Sequence, residues 1–143
     1  MNDGQVTTAG DEIEIALLAA AREAAESAYA PYSSYPVGAA LVTTTGEIFT
    51  GANVENASYG LTVCAERTAV FAAALAGHRE IRAIAVAAPK AHRASPCGAC
   101  RQVLNEFRPA DGDLIVVLET EDGSRSTTLA ELLPMAFGPR DLD

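Results

Sequence analysis

Ile81-Arg82-Ala83-Ile84-Ala85-Val86-Ala87-Ala88 and, after a short connection, Pro96-Cys97-Gly98-Ala99-Cys100 are the two stretches that decide the fold. The first is an apolar run broken only by Arg82, as expected of a strand covered on both faces. The second opens a helical composition over Cys97–Phe107, which Pro109 ends. Leu114–Leu118 is then a further buried strand, Arg125–Thr128 a short edge strand, and Leu129–Leu133 a helical turn. Upstream, Cys64–Ala76 has helical composition and Gly77 is a plausible stop. Val37–Thr43 and Glu47–Asn53 are β-rich runs around Thr44-Thr45-Gly46, a hairpin signal. Asp11–Ala28 carries Ile13, Leu17, Ala20 and Ala24 on one helical stripe, and the prolines of Ala30–Pro36 break that helix. The order α-β-β-α-β-α-β-β-α predicts an α/β fold, a mixed sheet sandwiched between helices, with the strand order left open.

A chain of 143 residues fits one domain, expected over 1–143 with residues 1–10 as a flexible tail. Its 49% hydrophobic and 20% charged residues suit a globular core, so no disulfide is needed to explain folding. Ten basic against nineteen acidic side chains give a net charge of −9, and the basic ones are scattered. Such a field repels nucleic acid, so a small neutral or weakly charged substrate is expected. No apolar run approaches the ~20 residues that span a bilayer, and the first residues lack a secretory pattern. A cytoplasmic location with reduced thiols follows, and neither membrane nor nucleic acid is an expected partner.

Cys64 opens one expected helix; Cys97 and Cys100 open another. A two-residue gap lets both sulfurs of the pair reach a common point from one turn of backbone, and Gly98 permits close approach. With Cys64 as third ligand, Zn²⁺ would keep an open position, the pattern of a catalytic rather than a structural site. Two other readings stand beside this one: buried thiols that merely pack, and a redox pair at Cys97 and Cys100, which leaves Cys64 unexplained. His78 and His92 suit ordinary surface positions better than ligation. Three thiolates around one Zn²⁺ sum to −1, so positive charge is needed nearby. Two helix N-termini supply part of it, and Arg67 or Gln102 can add hydrogen bonds. Glu66, in the first turn after Cys64, places a carboxylate where a proton shuttle would need one.

Cys64-Ala65-Glu66 followed by Pro96-Cys97-Gly98-Ala99-Cys100 resembles the zinc nucleobase deaminase signature. With Ala30-Pro31-Tyr32-Ser33, Val37-Gly38-Ala39-Ala40-Leu41, Asn53-Val54-Glu55-Asn56 and Glu131-Leu132-Leu133-Pro134, nearly the whole chain is similar to the small homotetrameric cytidine deaminases. The resemblance implies a cytidine deaminase-like fold and hydrolysis of cytidine, and of 2′-deoxycytidine, to the uridine product and ammonia in pyrimidine salvage. It also implies zinc on Cys64, Cys97 and Cys100, with Glu66 moving protons from the attacking water to ring N3 and the leaving amine. By the same resemblance Asn53 and Glu55 bind the ribose hydroxyls, and the Ala65 backbone orients the base. Tyr35, where the family usually has phenylalanine, stacks near the pyrimidine. Phe137 reaches a neighbouring subunit's site, so that sites are built at the interfaces of a homotetramer. Ala52 stands where a cysteine is frequent in the family, away from the proposed ligands.

Overall fold

The structure is a computed structural model and describes residues 9–143. Of the tail expected over residues 1–10, residues 1–8 lie outside the described residues, and residues 9 and 10 begin a helix. The elements run α1 (Ala9–Ala25), β1 (Gly38–Thr43), β2 (Ile48–Ala52), α2 (Ala65–Leu75), β3 (Ile81–Ala87), α3 (Gly98–Glu106), β4 (Ile115–Thr120), β5 (Gly123–Thr128) and α4 (Leu129–Leu132). Short 3-10 turns at Tyr59–Leu61 and Pro139–Leu142 add to the expected list. Neither has a periodic pattern long enough to announce itself. Among the described residues no helix is long and apolar enough to cross a membrane.

One five-stranded sheet has the order β2-β1-β3-β4-β5. β1 is antiparallel to both β2 and β3, β3 is parallel to β4, and β4 is antiparallel to β5. Hence β2, β3 and β4 point the same way, and α2 and α3 are the crossovers that join them. Each crossover helix must start at the sheet edge where its preceding strand ends. The N-termini of α2 and α3 are therefore delivered to one edge.

Side-chain alternation assigns the faces. Ala39, Leu41, Ile84, Val116 and Leu118 pack with Ala65, Ala69 and Val70 of α2 and Leu104 of α3. Ala40, Val42, Ala83, Ala85 and Val117 pack on the other face against Leu17, Leu18 and Ala21 of α1. The three layers are the expected helix–sheet–helix sandwich, and Ile81–Ala87 is almost wholly buried because both faces are covered.

Two details depart from the periodicity. The buried stripe of α1 is Leu17, Leu18, Ala21 and Ala25, rotated from the expected one, with Ile13 and Ala20 only partly buried. The cause is Gly38: a Cβ there would lie 1.9 Å from the Ala21 carbonyl oxygen and 2.5 Å from the Ala25 nitrogen, so α1 rests on bare β1 backbone. Secondly, α1 stops at Ala25 rather than Ala28, and Glu26, Ser27 and Ala28 each bond to a carbonyl three residues back, a tightened last turn. On the opposite face Gly51 plays the same part for α2.

Candidate active site

Cys64 is the N-cap residue of α2 and Cys97 that of α3. Each is extended, so neither side chain is drawn into its helix, and the two helix starts share one sheet edge. The three sulfurs lie within 4.8 Å of one another: Cys64 to Cys97 is 3.9 Å and Cys97 to Cys100 is 3.5 Å. Tetrahedral zinc with Zn–S bonds near 2.3 Å needs sulfurs about 3.8 Å apart. The donor set thus fits zinc in number, chemistry and spacing. Burial is graded, with Cys100 inside, Cys64 intermediate and Cys97 exposed.

The protons on these sulfurs tell the same story. A hydrogen bond from Cys100, then those from Arg67 and Cys97, outweigh burial and bring the Cys64 thiol down to about 5. Cys100 is pushed upward by its bond to Cys64, by burial and by the charges of Glu66 and Cys64. The two shifts run in opposite directions because neighbouring like charges oppose one another. Arg67 Nη2 donates to Cys64 Sγ at 3.4 Å, placing a full positive charge against the cluster. Gln102 does not join it: its Nε2 donates to the Phe137 carbonyl at 2.9 Å. Two residues beyond Cys100 on α3, Gln102 lies on nearly the opposite side of the helix, whereas Arg67 is three beyond Cys64 and on a neighbouring face.

Glu66 is 4% exposed, although it carries a carboxylate. Burial first, then the Cys64 charge, raise its pKa above the usual carboxylate range. A carboxyl group in that condition can hold a proton and release it, which is what acid–base work requires. It lies on the wall of a pocket of about 210 Å³ that also includes Cys64, Cys97, Ala65, Asn53 and Tyr35. Two of the three clustered sulfurs, a buried carboxyl and polar side chains therefore meet in one cleft.

Asn53 spends half its amide on the backbone. Its Oδ1 accepts from Val37 N at 2.9 Å and its Nδ2 donates to the Tyr35 carbonyl at 3.0 Å. One N–H and one lone pair remain for a ligand. Glu55 is not part of that pocket wall. Its carboxylate accepts from Tyr32 N at 3.0 Å, from Ser33 N at 3.1 Å and from the Ser33 hydroxyl, and these bonds lower its pKa, the hydroxyl's most of all. Phe137 also stands outside it, with its side chain 60% exposed and its carbonyl held by Gln102 and Asn105. The rest of the pocket comprises Val37, from a segment that carries the resemblance, and residues that no motif announced: Thr62, Val86, Ala88, Ala91, Arg93, Ala94 and Ser95. Val86 and Ala88 belong to the apolar run and were legible only as core. The others sit in connections whose course depends on the sheet.

Residues 11–117 match the family described as the cytidine and deoxycytidylate deaminase zinc-binding region. The chain is 49% identical over 127 residues to a cytidine deaminase of Sporosarcina psychrophila, covering 88% of this chain and 92% of that one. It is 48% identical over 127 residues to a cytidine deaminase of Halalkalibacterium halodurans, covering 89% and 96% respectively. Among solved structures it resembles the crystal structure of cytidine deaminase from Burkholderia pseudomallei with a TM-score of 0.79 and 53% identity, over 85% of this chain and 97% of that one. Cytidine deaminase from Mycobacterium tuberculosis is similar at a TM-score of 0.73 and 41% identity, over 86% and 95%.

Proposed function

The chain belongs to the cytidine and deoxycytidylate deaminase family, and from that premise we propose that it hydrolyses cytidine, and also 2′-deoxycytidine, in pyrimidine salvage. Water adds at C4 of the base and ammonia leaves, giving uridine or 2′-deoxyuridine. The observation that carries this reading is the buried Glu66, its pKa raised by burial, in the same pocket as Cys64 and Cys97. Cys64, Cys97 and Cys100 would hold zinc, which would supply Lewis acidity to activate the attacking water.

Glu66 takes a proton from the attacking water and gives it to ring N3, which makes C4 a better electrophile. It then carries a proton to the amine as that group departs. Its raised pKa makes it a stronger proton acceptor than an ordinary carboxylate, which suits a group that takes a proton and passes it on. Arg67 holds the Cys64 sulfur in place and offsets its charge. The Ala65 backbone orients the base, and the ring of Tyr35 lies against it. Asn53 binds the ribose through its remaining N–H and lone pair. Glu55 contributes its unspent lone pair on Oε2 while it pins the Tyr32–Ser33 turn. Phe137, exposed on its own chain, reaches the site of a neighbouring subunit in a homotetramer.

The direct test is the loss of cytidine absorbance, run with metal analysis of the same preparation. Cytidine turnover with about one zinc per chain is expected. Glu66→Gln should retain zinc and lose more than 99% of kcat, since general acid–base catalysis alone is worth roughly 10²–10⁴-fold. Wild-type kcat in that variant would remove Glu66 from the role. Metal-free active protein would remove the three cysteines.

A further inference from the structure

The side chain of Phe137 is exposed, yet the backbone behind it is gripped. Gln102 Nε2 donates to the Phe137 carbonyl at 2.9 Å, and Asn105 Nδ2 donates to the same oxygen at 3.0 Å. The two amides stand three residues apart on α3 and so share one face of it. Among the described residues no other hydrogen bond ties residues 134–137 to the body of the chain. The segment leaves α4, turns at Met135 with a left-handed φ of 55°, and enters the short turn Pro139–Leu142 only after Gly138. Without the two amides it would be a free loop.

The grip has support of its own. Asn105 is 7% exposed, and a buried amide needs partners at both ends. Its Oδ1 accepts from Arg108 Nη1 at 3.3 Å, and Arg108 Nη2 pairs with Asp113 at 2.9 Å. A guanidinium can only meet the oxygen of that amide, so the nitrogen is the end that faces Phe137. Gly138 leaves the room for it: a Cβ there would lie 2.8 Å from Asn105 Nδ2. Polar groups set this deep behind an exposed ring suit a ring that must meet a partner already oriented. Ordering a loop at the moment of contact would cost binding free energy. Met135 is fully exposed as well, so the strap presents two large apolar side chains on a fixed backbone.

We propose that Gln102 and Asn105 are positioning residues that aim Phe137 at the pocket of the neighbouring subunit, so that α3 of each chain sets the substrate affinity of the next. The proposal rests on the reading that Phe137 crosses to that pocket; it adds what holds the ring in place. The same helix carries Cys97 at its cap and Cys100 in its first turn. It therefore serves its own sulfur cluster with its start and a neighbour's substrate with the turns that follow.

The experiment measures KM and kcat for cytidine, with calorimetric binding of uridine as a readout independent of turnover. Gln102→Met and Gly138→Ala together remove both donors, the second by displacing the Asn105 amide. KM and the uridine Kd should rise together about tenfold, toward the values of Phe137→Ala, with kcat changed less than about twofold. Gln102→Met alone, at an exposed position, should show about a threefold rise, and Gln102→Lys, which keeps a donor, should stay near wild type. Co-expression with an excess of Glu66→Gln chains, which turn over nothing but carry sound clamps, should bring the double variant's KM back toward wild type. A KM that stays raised in those mixed assemblies places the effect in each chain's own pocket and overturns the proposal. A wild-type KM in the double variant, where Phe137→Ala raises it, overturns the clamp and leaves the crossing of Phe137 intact. A silent Phe137→Ala removes the crossing and the clamp with it, and deamination of cytidine still stands.

Discussion

Gly51 sets how closely α2 lies on the sheet, and Gly51→Ala should therefore damage the metal centre from a distance. An added Cβ would stand 2.3 Å from Thr68 Oγ1, 2.4 Å from Ala69 N and 2.7 Å from the Ala65 carbonyl oxygen. Thr68 could turn aside, but the other two are backbone atoms of α2. Restoring the 3.4 Å of ordinary contact at Ala69 N requires α2 to move by about 1 Å. Overpacking of this kind costs roughly 1–3 kcal/mol. For a chain of this size that is a fall in Tm on the order of 3–10 °C. The same helix carries Cys64 at its cap and Glu66 in its first turn, whereas Cys97 and Cys100 belong to α3. A shift of about 1 Å far exceeds the ~0.2 Å tolerance of metal–ligand distances. Zinc affinity and turnover should fall together with stability. The measurements are thermal melts of the metal-free protein, competition for zinc with a chelator, and cytidine turnover. Gly60→Ala is the control, because nothing lies within 4 Å of its Cβ position. A Gly51→Ala protein with wild-type Tm and wild-type zinc affinity would refute the reasoning.

Other perturbations have equally definite outcomes. Cys100→Ser should bind zinc far more weakly, because the buried third sulfur is replaced by a poorer donor, and chelator competition reads this directly. Asn53→Ala frees Val37 N and the Tyr35 carbonyl, at a cost of about 1–3 kcal/mol in urea unfolding, and should raise KM for cytidine more than it lowers kcat. In the metal-free protein Glu66 has a raised pKa, so its contribution to stability is complete below the unfolded value of about 4.3 and is lost as pH rises through the folded value. Glu66→Gln should therefore be relatively more stable than the wild type at pH 8 than at pH 4; equal differences at both would contradict a buried, proton-holding carboxyl.

Sequence reasoning reached far where information is local. Ile81–Ala88 could be read as a doubly covered strand because apolar continuity is visible in one window, and the strand runs Ile81–Ala87. The spacing of Cys97 and Cys100 announced a shared point because one turn of backbone determines it. It failed where two segments must be compared. The stripe of α1 was misjudged by about one residue, since the facing Gly38 decides which side can approach. Gln102 looked as able as Arg67 to support the sulfurs, yet the direction of α3 turns it to Phe137.

The amino-acid sequence by itself determined the order of helices and strands and the close pairing of Cys97 with Cys100. These follow from periodicity and spacing within a few residues, where covalent geometry limits what the chain can do. Only the tertiary structure decided that β2, β3 and β4 run the same way, that α2 and α3 therefore start at one edge, and that Cys64 meets a pair 33 residues further on. Strand direction and pairing are settled by which faces can be buried together, and that is a property of the whole packed chain.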